Sequence, residues 1–190
     1  KEVVTANIQI FKYGRPLAPI ATYEAARGEL VEEIATEMFN RRMDQKVAAG
    51  AVSFQSAGSN VGDMFRSARD ISLSATGKPA VWKDMLKELG IELQRARLHG
   101  FTEQEFDDVK RELIASAEQA VRREDSLPSQ AFLGMMNSAI ADQRPITSAK
   151  QDLEIYQRLL PTITLKEASE RFARVFDPKG VAFIATLPAG

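Results

Sequence analysis

The residues that could do chemistry in this chain are few, and the missing types exclude several kinds of site. The 190 residues include no cysteine and one histidine, His99. Without a thiol, the chain has no disulfide, no Cys-ligated zinc, no iron–sulfur cluster and no cysteine nucleophile. One histidine cannot make a two-histidine zinc site. The sequence predicts no catalytic, metal-binding or cofactor-binding residue in this chain.

The carboxylates have helical spacing but not the surroundings of a metal site. Glu32 and Glu33 fall in a long predicted helix with no histidine near them. Four more acidic residues occupy the first turn of a later predicted helix: Glu103, Glu105, Asp107 and Asp108. Acidic side chains there interact favourably with the helix dipole, and no EF-hand loop surrounds them. An unrelated α+β enzyme using only carboxylates stays as one hypothesis, and it predicts a cleft with paired, pKa-perturbed Asp and Glu.

The other polar candidates also favour structural roles. His99 directly precedes Gly100, at a predicted helix end where a cationic imidazole interacts with the last carbonyls. The pairs 41–42 and 122–123, all arginines, predict salt bridges or solvated side chains, with an anion or domain contact as the alternative. The stretch 58–62 lacks a GxGxxG context and predicts a turn, not a phosphate-binding loop. No G-x-S-x-G elbow surrounds Ser53, Ser56, Ser59 or Ser67.

The elements that must position these residues follow from the apolar pattern. Strands are predicted at 3–12, 51–58, 64–75 and, short and buried, at 181–185, with a hairpin turn at 59–63. Helices are predicted at 22–47, 80–98, 102–124, 129–141, from Thr147 or Ser148 to Pro161, and 164–176. Capping boxes are predicted at Thr102 with Glu105 and at Thr164 with Glu167. This order predicts an α+β fold, a two-layer α/β sandwich with a mixed or antiparallel sheet and helices on one face.

The bulk composition is that of an ordinary globular domain, with 44% apolar and 27% charged residues. The net charge of −1 argues against a nucleic-acid partner, and no apolar run of about 18 residues predicts a membrane span. The length predicts one domain over residues 1–190. The chain starts in a strand-like pattern without an initiating Met, which favours an excised or processed piece of a longer protein.

Several stretches, taken in order, resemble the pitrilysin/insulinase-like zinc peptidases. The segment 97–113, RLHGFTEQEFDDVKREL, resembles a helix–Gly–helix joint of that family, and the helix with Trp82 and Leu93 resembles the one before it. Residues 39–44 resemble a helix end, and 162–178 resemble the helix that leads into the last strand. The resemblance covers about residues 1–187 and is nearest to the non-catalytic second domain of multi-domain bacterial members.

The resemblance implies a processing-peptidase-like unit that is repeated along a parent chain and closes around an unfolded peptide. The family's catalytic zinc is bound by an H-x-x-E-H helix and a distant Glu, and nothing here matches that set. Zinc is therefore expected in a separate catalytic domain, and no zinc ligand is transferred to this chain. Arg42 matches an arginine that helps to hold substrate elsewhere in the family, but its hydroxyl partner is absent, so that role is not transferred either.

The favoured hypothesis is thus a catalytically inactive domain that supports the zinc-bearing domain and lines the peptide-binding chamber of a zinc metalloendopeptidase. Its expected partners are the catalytic domain of the same parent chain and a peptide substrate, with a homodimer as a further option. The alternative is a stand-alone inactive homologue that acts as a binding or assembly subunit, like the core subunits of processing-peptidase complexes. By the same resemblance, an extracytoplasmic or periplasmic location is expected.

Overall fold

Four strands and six helices make up the part of the chain that the computed structural model describes, residues 5–16, 18–64 and 67–188. They are β1 (Ala6–Gly14), α1 (Tyr23–Ala48), β2 (Phe54–Met64), β3 (Ala68–Gly77), α2 (Trp82–His99), α3 (Glu103–Glu124), α4 (Ser129–Ala141), α5 (Ala149–Leu159), α6 (Leu165–Val175) and β4 (Ala182–Thr186). Short 3-10 turns precede α2 and follow α5. The order of elements is the predicted one, and the first two residues of the predicted strand 3–12 lie outside the described residues.

The sheet has the order β2-β3-β1-β4, and all the described pairs are antiparallel. Ile10 in the central strand β1 lies opposite Leu73 of β3 on one side and Phe183 of β4 on the other. Alternate residues of β1 point to the two faces, and Ile8 and Ile10 belong to the core that the helices cover. The α+β two-layer prediction is therefore confirmed, with an antiparallel rather than a mixed sheet.

Aromatic rings form the centre of the helical layer. Phe172 of α6 is fully buried, and its ring centroid lies 5.2 Å from that of Phe39 and 5.2 Å from that of Phe101. Phe176 stacks on the same ring at 4.5 Å. Such clusters combine a large buried area with favourable ring geometry. The cluster joins α1, α6 and the joint between α2 and α3.

Three helices begin with capping boxes. Thr102 and Thr164 cap α3 and α6 as predicted, with Glu105 and Glu167 reaching back to them. Ser148, one of the two predicted candidates, caps α5 together with Gln151. Each cap satisfies backbone N–H groups that the first turn of a helix leaves without partners.

The predicted turn at 59–63 is wrong, because these residues lie inside β2. The backbone N–H of Ser59 donates to Oδ1 of Asn40 on α1 at 2.7 Å, and the Ser59 hydroxyl donates to the same atom at 3.0 Å. Gly58 leaves space for that amide, since a Cβ there would lie 3.1 Å from the same oxygen. β2 is polar and contains glycine, and this composition is typical of a turn, which explains the wrong prediction.

The prediction that the last strand is buried is also wrong. All five residues of β4 are exposed, and Phe183 is 62% exposed although it lies on the same face as the core residue Ile10. The strand occupies the edge of the sheet. An apolar sequence such as that of β4 indicates a strand that is buried by other residues. It does not indicate that those residues belong to the same chain.

Candidate functional site

The helix–Gly–helix joint is a polar cluster that ties α1 to the start of α3. Arg42 donates through Nε and Nη2 to the two carboxylate oxygens of Glu105, at 2.7 and 2.8 Å, and to the carbonyl of Gly100 at 3.1 Å. Its guanidinium lies 4.6 Å from the centre of the Phe101 ring. Burial would raise the pKa of Glu105, but the hydrogen bonds from Arg42 and Thr102 hold the pKa below its ordinary value.

Gly100 turns the chain sharply within this joint. Its φ is +69°, a conformation that suits glycine, and its N–H donates to the carbonyl of Ala96 to end α2. A Cβ on Gly100 would lie 2.9 Å from the hydroxyl oxygen of Ser169 on α6. The sequence signature of the joint is therefore explained by structure: it packs α2 and α3 against α1 and α6.

Asp108 of the acidic first turn, and Arg41 and Arg122 of the arginine pairs, also form salt bridges. Arg41 contacts Asp108 at 3.2 Å and Glu112 at 3.1 Å. Asp108 also pairs with Arg111, and Arg122 lies 3.8 Å from Glu118. These contacts agree with the salt bridges predicted for the arginines.

His99 ends α2 and is exposed. It borders a shallow groove of about 380 Å³ along the outer side of that helix, together with Ile91 and Leu98. Among the described residues, no group of three or more His, Asp and Glu side chains is arranged to hold a metal ion. In the same part of the chain, no helix is both long and apolar enough to cross a bilayer.

A half-enclosed polar cavity of about 290 Å³ lies where α1 meets the ends of β2 and β3. Glu32 lines it, is 7% exposed and pairs with Arg69 of β3. Arg171 of α6 approaches the other carboxylate oxygen at 3.6 Å. Arg144, which follows α4, pairs with Glu29 at the mouth of the cavity. No local sequence pattern indicates this network, because its partners are 37 or more residues apart.

Glu33 is a carboxylate with a perturbed pKa, but it stands away from this cavity. Burial, followed by the nearby charge of Glu37, raises its pKa. The Tyr156 hydroxyl of α5 lies 3.5 Å from Glu33 Oε2, and burial together with that carboxylate raises the pKa of Tyr156 to about 12. Neither residue lines the polar cavity.

The substitution Glu33→Gln is expected to raise the melting temperature at pH 7. The folded-state pKa of Glu33 is raised, so this carboxyl favours folding below its unfolded pKa, and the advantage is lost as pH rises through the folded pKa. A neutral amide removes that loss. Thermal unfolding followed by circular dichroism at pH 4 and pH 7 measures the effect, with Glu154→Gln, at an exposed position in the middle of α5, as control. A larger gain at pH 4 than at pH 7 would contradict the assignment.

The most unusual surface belongs to α4, which has no buried residue. Leu133, Met136 and Ile140 follow one another at i, i+3 and i+7 and therefore share a face. Leu133 is 55% exposed and Ile140 63%, with Met135 beside them 51% exposed. We call Leu133, Met135, Met136 and Ile140 the α4 apolar surface. Monomeric proteins rarely expose large continuous apolar patches, so this surface is a candidate interaction site.

The comparisons with known proteins agree on one fold. No protein-family model matches the sequence. The chain is 24% identical over 184 residues to the chloroplastic stromal processing peptidase of Oryza sativa subsp. indica, with 91% of this chain and 15% of that protein covered. The first half of the periplasmic protease PqqL from Escherichia coli superposes with a TM-score of 0.88 at 15% identity, over 96% of this chain and 39% of that one.

Two further structures extend the agreement. A predicted insulinase family protease from Yersinia pestis has a TM-score of 0.84 at 12% identity, over 97% of this chain and 40% of that one. A peptidase M16 inactive domain from Pseudomonas fluorescens has a TM-score of 0.68 at 13% identity, over 100% of this chain and 42% of that one. The chain thus spans less than half the length of each of these proteins. It has the fold of a domain of the insulinase/pitrilysin-like peptidases, as the sequence resemblance implies.

Proposed function

We propose that this chain is a non-catalytic domain of an insulinase/pitrilysin-like zinc peptidase, which supports the catalytic domain and lines the peptide-binding chamber. The α4 apolar surface is the observation that carries the proposal. Covering one Leu or Met side chain contributes about 1.5–3 kcal/mol, so a helix that leaves four such side chains exposed is best explained by contact with another domain. The proteins of the same fold are much longer than this chain, which supports a neighbouring domain as the partner.

The residues of this chain support a non-catalytic role. The family's zinc site needs two histidines and a glutamate on one helix, and His99 is the single histidine in the sequence. It lies at the exposed end of α2, directly before the turn at Gly100. In this proposal, zinc and the activation of water belong to a separate H-x-x-E-H domain.

The open face of the sheet is the surface that suits a chamber wall. On β1 this face carries Asn7, Gln9, Phe11 and Tyr13, which alternate with the core residues. The rings of Phe11 and Tyr13 meet edge to face at 5.7 Å, and Asn7 donates to Thr76 on β3 at 3.1 Å. Amide, hydroxyl and aromatic groups can contact an extended peptide without selecting its charge.

The test is reconstitution with the zinc-bearing domain encoded in the same parent chain. The double variant Leu133→Glu with Ile140→Glu is expected to weaken binding of the two domains, measured by calorimetry, by at least about 30-fold, which corresponds to about 2 kcal/mol. Peptide hydrolysis by the reconstituted pair should fall in parallel. Leu98→Glu, which places one such charge on the exposed side of α2, is the control and should bind normally.

Two results would contradict the proposal. Stoichiometric zinc together with peptide hydrolysis by this chain alone would show that it is not inactive. Equal binding by the α4 double variant and the Leu98→Glu control would show that the α4 apolar surface is not the contact. A chain encoded alone, without any H-x-x-E-H domain in its reading frame, would instead favour the stand-alone assembly subunit.

A further inference from the structure

The two edges of the sheet are built in opposite ways. At one edge, β2 is irregular, with a register shift between Phe54 and Ser56, and its Ser59 N–H bonds to a helix side chain. It also carries Asp63 near its end. Bulges and charges of this kind keep an edge strand from pairing with another chain.

The β4 edge has none of these protections. Residues 181–187, Val-Ala-Phe-Ile-Ala-Thr-Leu, contain no charge, no proline and no glycine. The strand pairs in regular register with β1, without a bulge, and in the described sheet no strand lies on its other side. Phe183 is 62% exposed on the helix side, and Ile184 is 44% exposed on the open side. An edge with free backbone groups and apolar side chains on both faces is a template for another strand.

We propose that this edge pairs with β4 of a second copy of the chain, antiparallel and about a two-fold axis, to give a continuous eight-stranded sheet. The hydrogen-bonding groups of an edge are directional, so the occupant must be an extended strand. The absence of charge on β4 favours an equally uncharged partner, and β4 itself is such a strand. In a two-fold dimer the same surface, here the edge of β4, forms both halves of the interface.

The side chains of β4 suit pairing centred on Ile184. In that register Phe183 of one copy lies opposite Ala185 of the other, so a large side chain faces a small one on the helix side. The two Ile184 side chains lie next to each other on the open side, where directly opposed Cβ atoms are about 4.5–5.5 Å apart. The inference does not depend on the proposed peptidase role, because it uses only the strand and its exposure.

Sedimentation of the full chain from about 1 to 500 µM tests the pairing. The unmodified chain is expected to dimerise, and Ile184→Lys and Ile184→Asp should each raise the dimer dissociation constant at least about tenfold through like-charge repulsion. An equimolar mixture of the two variants should restore the dimer. Leu98→Lys on the exposed side of α2 is the control and should dimerise normally. A monomeric unmodified chain, a dimer that survives Ile184→Lys, or a mixture that does not recover overturns the proposal.

Disulfide trapping gives a second measurement that does not require a charged strand. Because the natural chain has no cysteine, Ile184→Cys introduces the single thiol. Mild oxidation of this variant should give a covalent dimer in high yield, whereas Leu98→Cys should remain mostly reduced or cross-link slowly. Equal cross-linking rates for the two variants would overturn the proposal. Far-UV circular dichroism of every variant checks that the fold is kept.

Discussion

Replacing Arg42 with alanine is expected to lower the free energy of unfolding by about 3–5 kcal/mol, because it leaves a buried carboxylate without its cation. The side chains of Arg42 and Glu105 are 16% and 11% exposed, and they share a bidentate contact. The same guanidinium also contacts the Phe101 ring and the Gly100 carbonyl. The substitution therefore loosens the whole joint between α2 and α3. Urea unfolding followed by circular dichroism measures the loss.

The neighbouring Arg41→Ala is the matched control, since Arg41 makes more exposed pairs and should cost less than about 1 kcal/mol. A pH series adds an independent readout. The pKa of Glu105 is lowered in the fold, so its contribution is present above its unfolded pKa and is lost as pH falls through the folded pKa. The free energy of unfolding of Arg42→Ala should therefore fall less steeply at acid pH than that of the unmodified chain. Equal losses for Arg41→Ala and Arg42→Ala would contradict the role assigned to the joint.

Replacing Phe172 with alanine is expected to cost about 3–5 kcal/mol, because it removes a fully buried ring and leaves a cavity. The ring contacts Phe39, Phe101 and Phe176, so its loss uncouples α6 from α1 and from the joint. Chemical unfolding at 25 °C measures the change. Phe132→Ala in α4, a helix without buried residues, makes the same chemical change and should cost less than about 1 kcal/mol. Similar losses at the two positions would contradict the central role of Phe172.

The elements with strong local signals were predictable from the sequence. The boxes at Thr102 and Thr164 define helix starts through contacts three residues apart, and Gly100 marks a helix end through its own conformation. Apolar residues at helical spacing predicted α1 and α2 to within a few residues. In each case the deciding interaction lies within a single turn of the chain.

The failures involve interactions that are distant in sequence. Ser59 lies in a strand that pairs with β3, where it is opposite Leu73, and Asn40, 19 residues earlier, accepts its N–H. The Glu32 pair with Arg69 spans 37 residues and gives no periodic pattern. The exposure of β4 depends on how far the helices reach across the sheet, which no local pattern records. The apolar residues of α4 did predict a helix, but their spacing does not reveal that the face they form is uncovered.

The position of β1 has a consequence for the way the chain is made. This strand is synthesised first among the elements, but it lies in the middle of the sheet, with β3 on one side and β4 on the other. During translation, Ala6–Gly14 can pair with β3 early, whereas its second neighbour is available only when residues 182–186 have left the ribosome. Until then β1 has an open edge, which exposes the nascent chain to wrong strand pairing. Completion of the sheet therefore waits until β4 has been synthesised, and we expect ribosome-bound intermediates that lack residues 182–186 to engage chaperones through β1.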